Sequence, residues 1–213
     1  MKLTDYCIEH YFHQPNYWRI DGRLVFAIYD PTLFLQTFPG DQLKRLFDKM
    51  RERVAKAGLG ELHLQASHVY KGHEAQLAGL GFDSVTHYHT FGLAWGPWPL
   101  GVRIVYGEAA RASIHLWKQT AAQPSIPYYP GCPVGADDNS PRVGPSGRMI
   151  TQRTPDQYER RLRAAQYFSA ASSTKPKVIF LSSWNEWTED HMLLPDTVFG
   201  YSYLEAVRRV LRS

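Results

Sequence analysis

Two glutamates, Glu186 and Glu189, are the side chains whose type and spacing best suit catalysis. They follow the apolar run at residues 177–181 within the segment KVIFLSSWNEWTEDHMLLPD. Such a run is typical of a parallel strand buried on both faces, and the carboxyl ends of parallel strands form ligand crevices. In one helical turn, side chains three residues apart share a face, with Cβ atoms about 5–6 Å apart. Retaining glycosidases hold two carboxyl groups about 5–5.5 Å apart, so a turn here would provide a workable pair.

This pair also has a structural interpretation, because acidic residues favour the first turn of a helix. As catalysts, the two carboxyls need different environments. One would be partly desolvated by Trp184 and Trp187 and have a raised pKa, while the other stays ionised. The spacing alone leaves both interpretations open. Trp184, Asn185 and Trp187 are candidate substrate-binding residues.

Composition restricts the class of protein. The 213 residues suggest one domain or at most two, and 44% apolar with 21% charged residues is typical of a soluble globular chain. No window approaches the roughly 18 apolar residues of a membrane helix, and the first residues lack the apolar core of a signal peptide. Two cysteines, Cys7 and Cys132, favour a reducing compartment, although one bridge between them stays open. We therefore expect a cytoplasmic protein without a membrane span.

The net charge of +4 comes from basic residues in late, helix-like segments. A solvated helix face explains them better than a nucleic-acid surface, so no nucleic-acid partner is expected. These residues are Arg160, Arg161, Arg163, Arg208, Arg209 and Arg212. Aromatic residues make up 14% of the chain, several of them in loop-like stretches. Flat rings on loops suit the C–H faces of sugars, although core packing is the alternative.

Strands and helices alternate along the chain, which indicates a parallel α/β arrangement. The strands are predicted at residues 23–29, 61–66, 83–88, 126–130 and 177–181. The helices are predicted at residues 41–57, 73–80, 108–122, 154–171 and 201–211. Asp41 is the predicted N-cap of the first helix, whose apolar stripe at helical spacing is Leu43, Leu46, Phe47, Met50 and Val54. Thr154 is the predicted N-cap of the fourth helix, with Pro155 at its first position. Residues 131–147 are too rich in Gly, Pro and polar residues for regular structure. So few strand–helix units cannot close a ring of eight. The sheet is therefore open, or the chain is part of something larger.

Two histidines, His87 and His89, lie two apart on a predicted strand and would point the same way. They are candidates for hydrogen bonds to substrate, since a metal pair would need a third ligand. His63 and Gln65 alternate with leucines. They would face either a barrel interior or solvent.

Further candidates lie in irregular segments. Asp137, Asp138 and Arg142 would meet sugar hydroxyls, although turn formation explains the aspartates nearly as well. Arg142 would also suit a carboxylate. Trp95 and Trp98 flank a Gly-Pro pair. Their rings would either stack on a sugar or cover one end of a barrel.

Three ordered segments resemble the glycoside hydrolase family 99-like proteins, including the WbsX-type proteins of surface-polysaccharide loci. The last segment reads SWNEWTED and continues with LLPD and FGYSYLEAVRRVL. It resembles a family pattern of WNEW, EG and EPD that is followed by a closing GYAYLEA-like helix. YFHQPNYWRIDGRLVFAIYDP resembles their tyrosine-rich segment before an IDGKPVF-like strand. YYPGCPVGADDNSPR resembles their loop of Pro-Val, Gly, Asp and Ser-Pro-Arg. Together the matches cover most of the chain.

The resemblance implies a (β/α)8 TIM-type barrel, of which residues 1–213 would be a single, partial catalytic domain. It implies retaining hydrolysis of α-linked sugars, mannosides in the best-known members, with no metal or organic cofactor. In that family one glutamate deprotonates the sugar 2-hydroxyl, which attacks the anomeric carbon to give a 1,2-anhydro sugar. The other protonates the leaving oxygen and then activates water. Glu186 matches the base and Glu189 the acid/base.

Two positions depart from the family pattern. Asp190 stands where glycine is usual, and Leu194 stands where many members have glutamate. Aspartate tolerates positive φ better than most residues, and its charge would raise the pKa of Glu189, which suits an acid. Because family members run well past 300 residues, we expect the C-terminal half of a barrel. Its partner would be a separate N-terminal half or a second copy of the chain.

Three functions stay open: a retaining α-glycoside hydrolase, a WbsX-type glycosyltransferase in surface polysaccharide (O-antigen or capsule) biosynthesis, and an inactive carbohydrate-binding fragment. All three imply an oligosaccharide or polysaccharide ligand. No GxGxxG after a strand and no DxD is present to indicate a nucleotide sugar. Open sheet edges predict that the chain alone is poorly stable or pairs with another chain, and that co-expression with an N-terminal half restores activity. A cooperatively unfolding, fully active monomer would contradict this.

Overall fold

The computed structural model describes residues 2–70, 72–91, 100–123, 125–137, 139 and 147–212, which form an α/β fold. They group into two compact units. Unit 1 comprises Met1–Thr86 and Gln123–Tyr128, and unit 2 comprises His87–Ala122 and Tyr129–Ser213. Within the described ranges, no helix has the length and apolar character needed to cross a bilayer.

The strands of the described residues are β1 (Arg19–Ile20), β2 (Arg23–Ile28), β3 (Leu62–Ala66), β4 (Ser84–Thr86), β5 (Arg103–Val105), β6 (Tyr128–Tyr129), β7 (Gly131–Pro133), β8 (Met149–Thr151), β9 (Phe180–Ser182), β10 (Asn185–Glu186) and β11 (His191–Met192). The helices are α1 (Lys2–Cys7), α2 (Pro31–Thr37), α3 (Gly40–Lys56), α4 (Glu74–Leu80), α5 (Tyr106–Ala121), α6 (Pro155–Ala171) and α7 (Ser202–Leu211), with a π-helix at Ile8–Phe12 and a 3-10 turn at Trp187–Glu189.

Unit 1 is organised around a sheet of order β1-β2-β3-β4-β6. Strands β2, β3 and β4 are parallel, whereas β1 pairs antiparallel with β2. All five residues of β3 are buried, so this strand is covered on both faces. His63 and Gln65 are 2% and 0% exposed, which excludes the solvent-facing alternative for both. The His63 Nε2 is hydrogen-bonded to the Ser84 Oγ at 2.7 Å.

Two helices of unit 1, α3 and α4, were predicted from the sequence, whereas α1 and α2 were not. Helix α3 buries Leu43, Phe47, Met50 and Val54, the apolar stripe predicted from helical spacing. Leu46, predicted as part of that stripe, is 41% exposed because it lies at the edge of the buried face. Asp41 was predicted as the N-cap, but α3 begins at Gly40 after Pro39, which places Asp41 inside the first turn.

Unit 2 contains three longer helices and short strand pairs: β5 with β8 and β7 with β9 in parallel, and β10 with β11 in antiparallel. Its apolar core consists of Phe91, Tyr106, Ala109, Cys132, Val134, Ala136, Ile150, Tyr158, Leu162, Leu193, Tyr203, Ala206 and Val210. Helix α6 begins as predicted: the Thr154 hydroxyl accepts the Gln157 N–H at 3.3 Å, and Pro155 occupies the first position.

Other predictions about unit 2 need correction. Arg161 was predicted on a solvated face but is 2% exposed, because its guanidinium packs against aromatic rings of the core. The apolar run at 177–181 forms only the three-residue strand β9, in which Ser182 alone is buried. Within the predicted loop 131–147, residues Gly131–Pro133 form β7 instead. The two cysteines are free and buried, so no bridge joins them.

Candidate active site

Residues 183–192 follow β9 directly and are called here the motif loop. Strands β10 and β11 make it an antiparallel hairpin, in which Asn185 is paired with Met192 and Glu186 with His191. A single 3-10 turn, Trp187–Glu189, connects the two strands. Glu186 therefore lies on the strand just before the turn, and Glu189 lies at the end of the turn.

The hairpin is held by hydrogen bonds at its base. The Ser183 hydroxyl donates to the His191 carbonyl and accepts the Glu186 N–H at 3.1 Å. The Leu193 N–H donates to the Ser183 carbonyl at 3.0 Å, and the Leu194 N–H donates to the Trp184 carbonyl at 3.1 Å. Main chain that is fixed in this way positions side chains more accurately than an unconstrained loop does.

The two glutamates are both half-buried but differ in their surroundings. The Thr188 hydroxyl donates to Glu186 Oε1, which orients that carboxyl. The Glu189 carbonyl accepts the Asp137 N–H at 2.7 Å, so the end of the turn is fixed to the segment that follows β7. The rings of Trp184 and Trp187 are 58% and 50% exposed and are therefore accessible to a ligand.

Asp190 occupies a left-handed backbone conformation, with φ of 48°. Its Oδ1 accepts a hydrogen bond from Arg153 Nη2 at 2.6 Å, and the Arg153 side chain is only 9% exposed. The Arg153 guanidinium also lies over the Tyr203 ring, 4.9 Å from its centroid. Burial raises the pKa of Asp190, while the neighbouring guanidinium opposes that rise.

A glycine permits this arrangement. A Cβ at Gly135 would lie 2.4 Å from the Asp190 carbonyl oxygen and 3.0 Å from the Arg153 Cδ. The backbone of the motif loop therefore packs directly on Gly135, at a separation that only glycine allows.

The histidines form a second part of the site. His191 is fully buried, and its ring makes edge-to-face contacts with Tyr88 and His89 at centroid distances of 5.3 and 5.4 Å. Burial lowers the pKa of His191 well below its usual value, and the neighbouring His89 lowers it further, so this imidazole is neutral. Strand β4 ends at Thr86, so the prediction that His87 and His89 lie on a strand is wrong.

The structure brings several predicted residues together. Trp184, Asn185, Glu186, Trp187 and Glu189 share the motif loop, Asp137 contacts its main chain, and His89 contacts it through His191. His87 is buried. The carbonyl of Tyr88, the residue after His87, accepts a hydrogen bond from the Ser182 hydroxyl at 2.5 Å. Trp95, Trp98, Asp138 and Arg142 lie outside the described residues.

Sequence reasoning missed Arg153 and His191 as residues of this site. The position of His191, two residues after Glu189 within the motif, was the available signal. For Arg153 the sequence signal is weaker: the residue only lies just before the predicted helix start at Thr154 and Pro155.

A cleft of about 480 Å³ lies beside the motif loop. It is lined by Arg153, Trp187, Asp190 and Asp196, together with apolar side chains such as Met192 and Phe199. Asp196 shapes its rim, since its Oδ1 accepts the N–H groups of Val198 and Phe199 at 2.8 and 2.6 Å. Over the described part of the chain, no three His, Cys, Asp or Glu residues are grouped to hold a metal ion.

Comparison with known proteins gives one family match and several relatives. The family model described as "Glycosyltransferase WbsX" matches residues 2–207. The uncharacterized protein WxcX of Xanthomonas campestris pathovar campestris, in strains B100 and ATCC 33913, is 26% identical over 211 residues. That alignment covers 96% of this chain and 29% of WxcX.

Solved structures share the fold. A glycoside hydrolase-like protein superposes with a TM-score of 0.66 at 15% identity, covering 98% of this chain and 58% of its own. A glycoside hydrolase family 99 endo-α-mannosidase from Bacteroides thetaiotaomicron superposes with a TM-score of 0.62 at 15% identity, covering 99% of this chain and 59% of its own. The chain therefore spans less than a third of WxcX and about three fifths of these structures.

Proposed function

Because the chain belongs to the glycosyltransferase WbsX family, we propose that it is carbohydrate-active and that its motif loop hydrolyses α-linked, mannoside-like glycosides with retention. The observation that carries the proposal is the hairpin after β9, which places Glu186 just before one 3-10 turn and Glu189 at the last position of that turn. The fold shared with an endo-α-mannosidase supports it. We further propose that residues 1–213 form one partial catalytic domain, the C-terminal half of a (β/α)8 barrel.

In the proposed reaction, Glu186 removes the proton from the sugar 2-hydroxyl, and O2 attacks the anomeric carbon. The bond from that carbon to the leaving oxygen breaks as Glu189 donates its proton to this oxygen. A 1,2-anhydro sugar results. Water, deprotonated by Glu189, then opens the anhydro ring at the anomeric carbon while the proton on Glu186 returns to O2. Two inversions give net retention, and both carboxyls regain their starting states.

Neighbouring residues have defined parts in this scheme. The Thr188 hydroxyl, bonded to Glu186 Oε1, orients the base. The Asp137 N–H fixes the main chain of Glu189 at 2.7 Å. The exposed faces of Trp184 and Trp187 would pack on the C–H faces of the sugar rings.

The test uses Glu186→Gln and Glu189→Gln, which keep shape and remove the titrating oxygen. With an N-terminal half co-expressed, each variant should lower kcat on an aryl α-mannoside by about 10²–10⁴-fold, the usual contribution of a general acid or base. Glu205→Gln on α7 is the matched control, since that side chain is 59% exposed and outside the motif loop. Product configuration read by NMR should show retention. Wild-type turnover in both motif variants would refute the hydrolase proposal.

A glycosyltransferase is the second candidate, and the description of the matching family model favours it. Turnover of a radiolabelled sugar nucleotide that depends on Glu186 would support this candidate over hydrolysis. Glycan binding with neither activity would instead indicate a carbohydrate-binding protein.

A further inference from the structure

Three aromatic rings meet where β2 and β3 of unit 1 end, and we call them the aromatic corner: Tyr29, His68 and Tyr70. Tyr29 follows the last residue of β2, whereas His68 and Tyr70 come shortly after β3. The rings of Tyr29 and His68 are stacked, with centroids 5.5 Å apart and planes 11° apart. Those of His68 and Tyr70 meet edge to face, at 5.2 Å and 86°. The planes of Tyr29 and Tyr70 are therefore close to perpendicular.

The aromatic corner is accessible although it is built from large rings. Tyr29 is 56% exposed and Tyr70 is 47% exposed. Burial lowers the pKa of His68, and Asp30 only partly opposes this, so the imidazole is neutral near pH 7. The three rings themselves are thus uncharged, and two of them carry phenol groups.

The main chain beneath the aromatic corner is fixed. The pairing of β2 with β3 continues past the last strand residues, since the Ser67 N–H donates to the Ile28 carbonyl at 2.9 Å. Asp30 caps α2, because its Oδ1 accepts the Thr32 N–H at 3.0 Å. Both segments that carry the rings are therefore held in place before any ligand arrives, which lowers the entropic cost of binding.

We propose that the aromatic corner is a binding subsite for a neutral sugar ring of an α-linked oligosaccharide, an assignment that rests on the proposed carbohydrate-active function. The polarised C–H groups on one face of a pyranose pack on the electron-rich face of an aromatic ring. Of the two exposed tyrosines, Tyr29 and Tyr70, one would stack on the sugar, and the other, nearly perpendicular to it, would contact the edge of the sugar ring. A neutral imidazole close to the Asp30 carboxylate disfavours an acidic sugar. The position agrees with the general rule that ligands bind beyond the carboxyl ends of parallel strands.

The test measures binding without turnover, in the full chain carrying Glu189→Gln. An α-linked mannotriose is titrated by calorimetry into this background and into the same background with Tyr29→Ala or Tyr70→Ala. Each added change should weaken binding about fivefold, the worth of one stacking contact. Tyr167→Ala is the matched control, because Tyr167 is 73% exposed on α6 in unit 2. It should leave the Kd unchanged.

A second pair of variants separates stacking from folding. Tyr29→Phe keeps the ring and should bind normally, whereas Tyr29→Leu keeps apolar volume without a π face and should bind as weakly as Tyr29→Ala. Equal affinity in the Tyr29, Tyr70 and Tyr167 variants would overturn the assignment, as would no mannotriose binding at all. Preference for a glucuronate-containing oligosaccharide, or a dimer seen by light scattering that Tyr29→Ala abolishes, would also overturn it.

The two proposals fail separately. If mannotriose binding depends on the aromatic corner while no glycoside is hydrolysed, the subsite stands and the hydrolase is refuted. If hydrolysis depends on Glu186 and Glu189 while Tyr29 and Tyr70 leave the Kd unchanged, only the subsite is refuted.

Discussion

Replacing Gly135 with alanine should displace the motif loop and reduce catalysis. The new Cβ would lie 2.4 Å from the Asp190 carbonyl oxygen, about 1 Å inside the 3.4 Å at which ordinary contact begins. The opposing atom is backbone, so a rotamer change cannot relieve the clash. Either the segment after β7 or the motif loop must move. Because the Asp137 N–H holds the Glu189 carbonyl at 2.7 Å, either movement shifts the proposed acid/base.

The size of the effect follows from that overlap. Forcing an extra methyl into a packed site costs about 1–3 kcal/mol of stability. For a chain of this length, each kcal/mol lowers the melting temperature by about 2–4 °C. A misplacement of about 1 Å can lower catalysis by about 100-fold. Both quantities are measurable on one preparation, by differential scanning calorimetry and by kcat/KM on an aryl α-mannoside.

Gly79→Ala is the matched control. Gly79 lies within α4, and a Cβ there would meet nothing within 4 Å. Alanine in a helix interior is favoured over glycine by about 0.8–1 kcal/mol, so this variant should melt slightly higher and remain fully active. If Gly135→Ala kept both the wild-type melting temperature and kcat/KM, the close approach to Asp190 would not exist in the working protein. Lower stability with unchanged kcat/KM would show that catalysis does not depend on the position of the loop.

Two further predictions concern charged side chains of unit 2, Arg161 and Asp190. In Arg161→Met the protein should lose about 1–3 kcal/mol of unfolding free energy in urea, because hydrogen bonds to the Pro133 carbonyl (3.1 Å) and the Thr90 hydroxyl (2.5 Å) disappear. Arg160→Met, on the exposed side of the same helix, should change it by less than about 0.5 kcal/mol, and equal effects would contradict the buried role. Because burial raises the pKa of Asp190, the folded state binds the proton more tightly than the unfolded state. The free energy of unfolding of the wild type, relative to that of Asp190→Asn, should therefore fall as pH rises from the ordinary value of 3.8 through the raised pKa. Chemical denaturation at a series of pH values measures this difference. A difference that increases over this pH range would contradict the prediction.

Local rules were sufficient for most of the helices, although α1 and α2 were not predicted. Helix α6 is specified by Thr154 and Pro155 at its start, and the stripe of α3 is specified by helical spacing. These features depend on residues within a few positions of one another. A sequence therefore carries them without any knowledge of tertiary structure.

Strand pairing did not follow from local pattern. Gly131–Pro133 has the composition of a loop, yet it forms β7 and pairs with β9. The reason is tertiary: a Cβ at Gly131 would lie 1.9 Å from the His87 carbonyl oxygen, so glycine is needed for close approach rather than for a turn. A rule that assigns Gly and Pro to loops cannot distinguish these two uses.

The candidate site was predictable where it is contiguous and was missed where it is assembled by the fold. Glu186 and Glu189 could be found because they follow a strand within one motif. Arg153 is 37 residues distant from Asp190 in sequence, and only folding brings its guanidinium within 2.6 Å. The burial that lowers the pKa of His191 also comes from residues distant in sequence, such as Tyr88 and His89.

The aspartate that replaces the family's usual glycine is explained by these tertiary contacts. A residue with a Cβ at φ of 48° is strained relative to glycine. At Asp190 the side chain is held by a hydrogen bond from Arg153, whose guanidinium itself lies over the Tyr203 ring. Gly135 supplies the space that the Asp190 carbonyl needs. The departure in the motif is therefore accommodated by residues outside it, and the turn that carries Glu189 gains a side-chain anchor that glycine cannot provide.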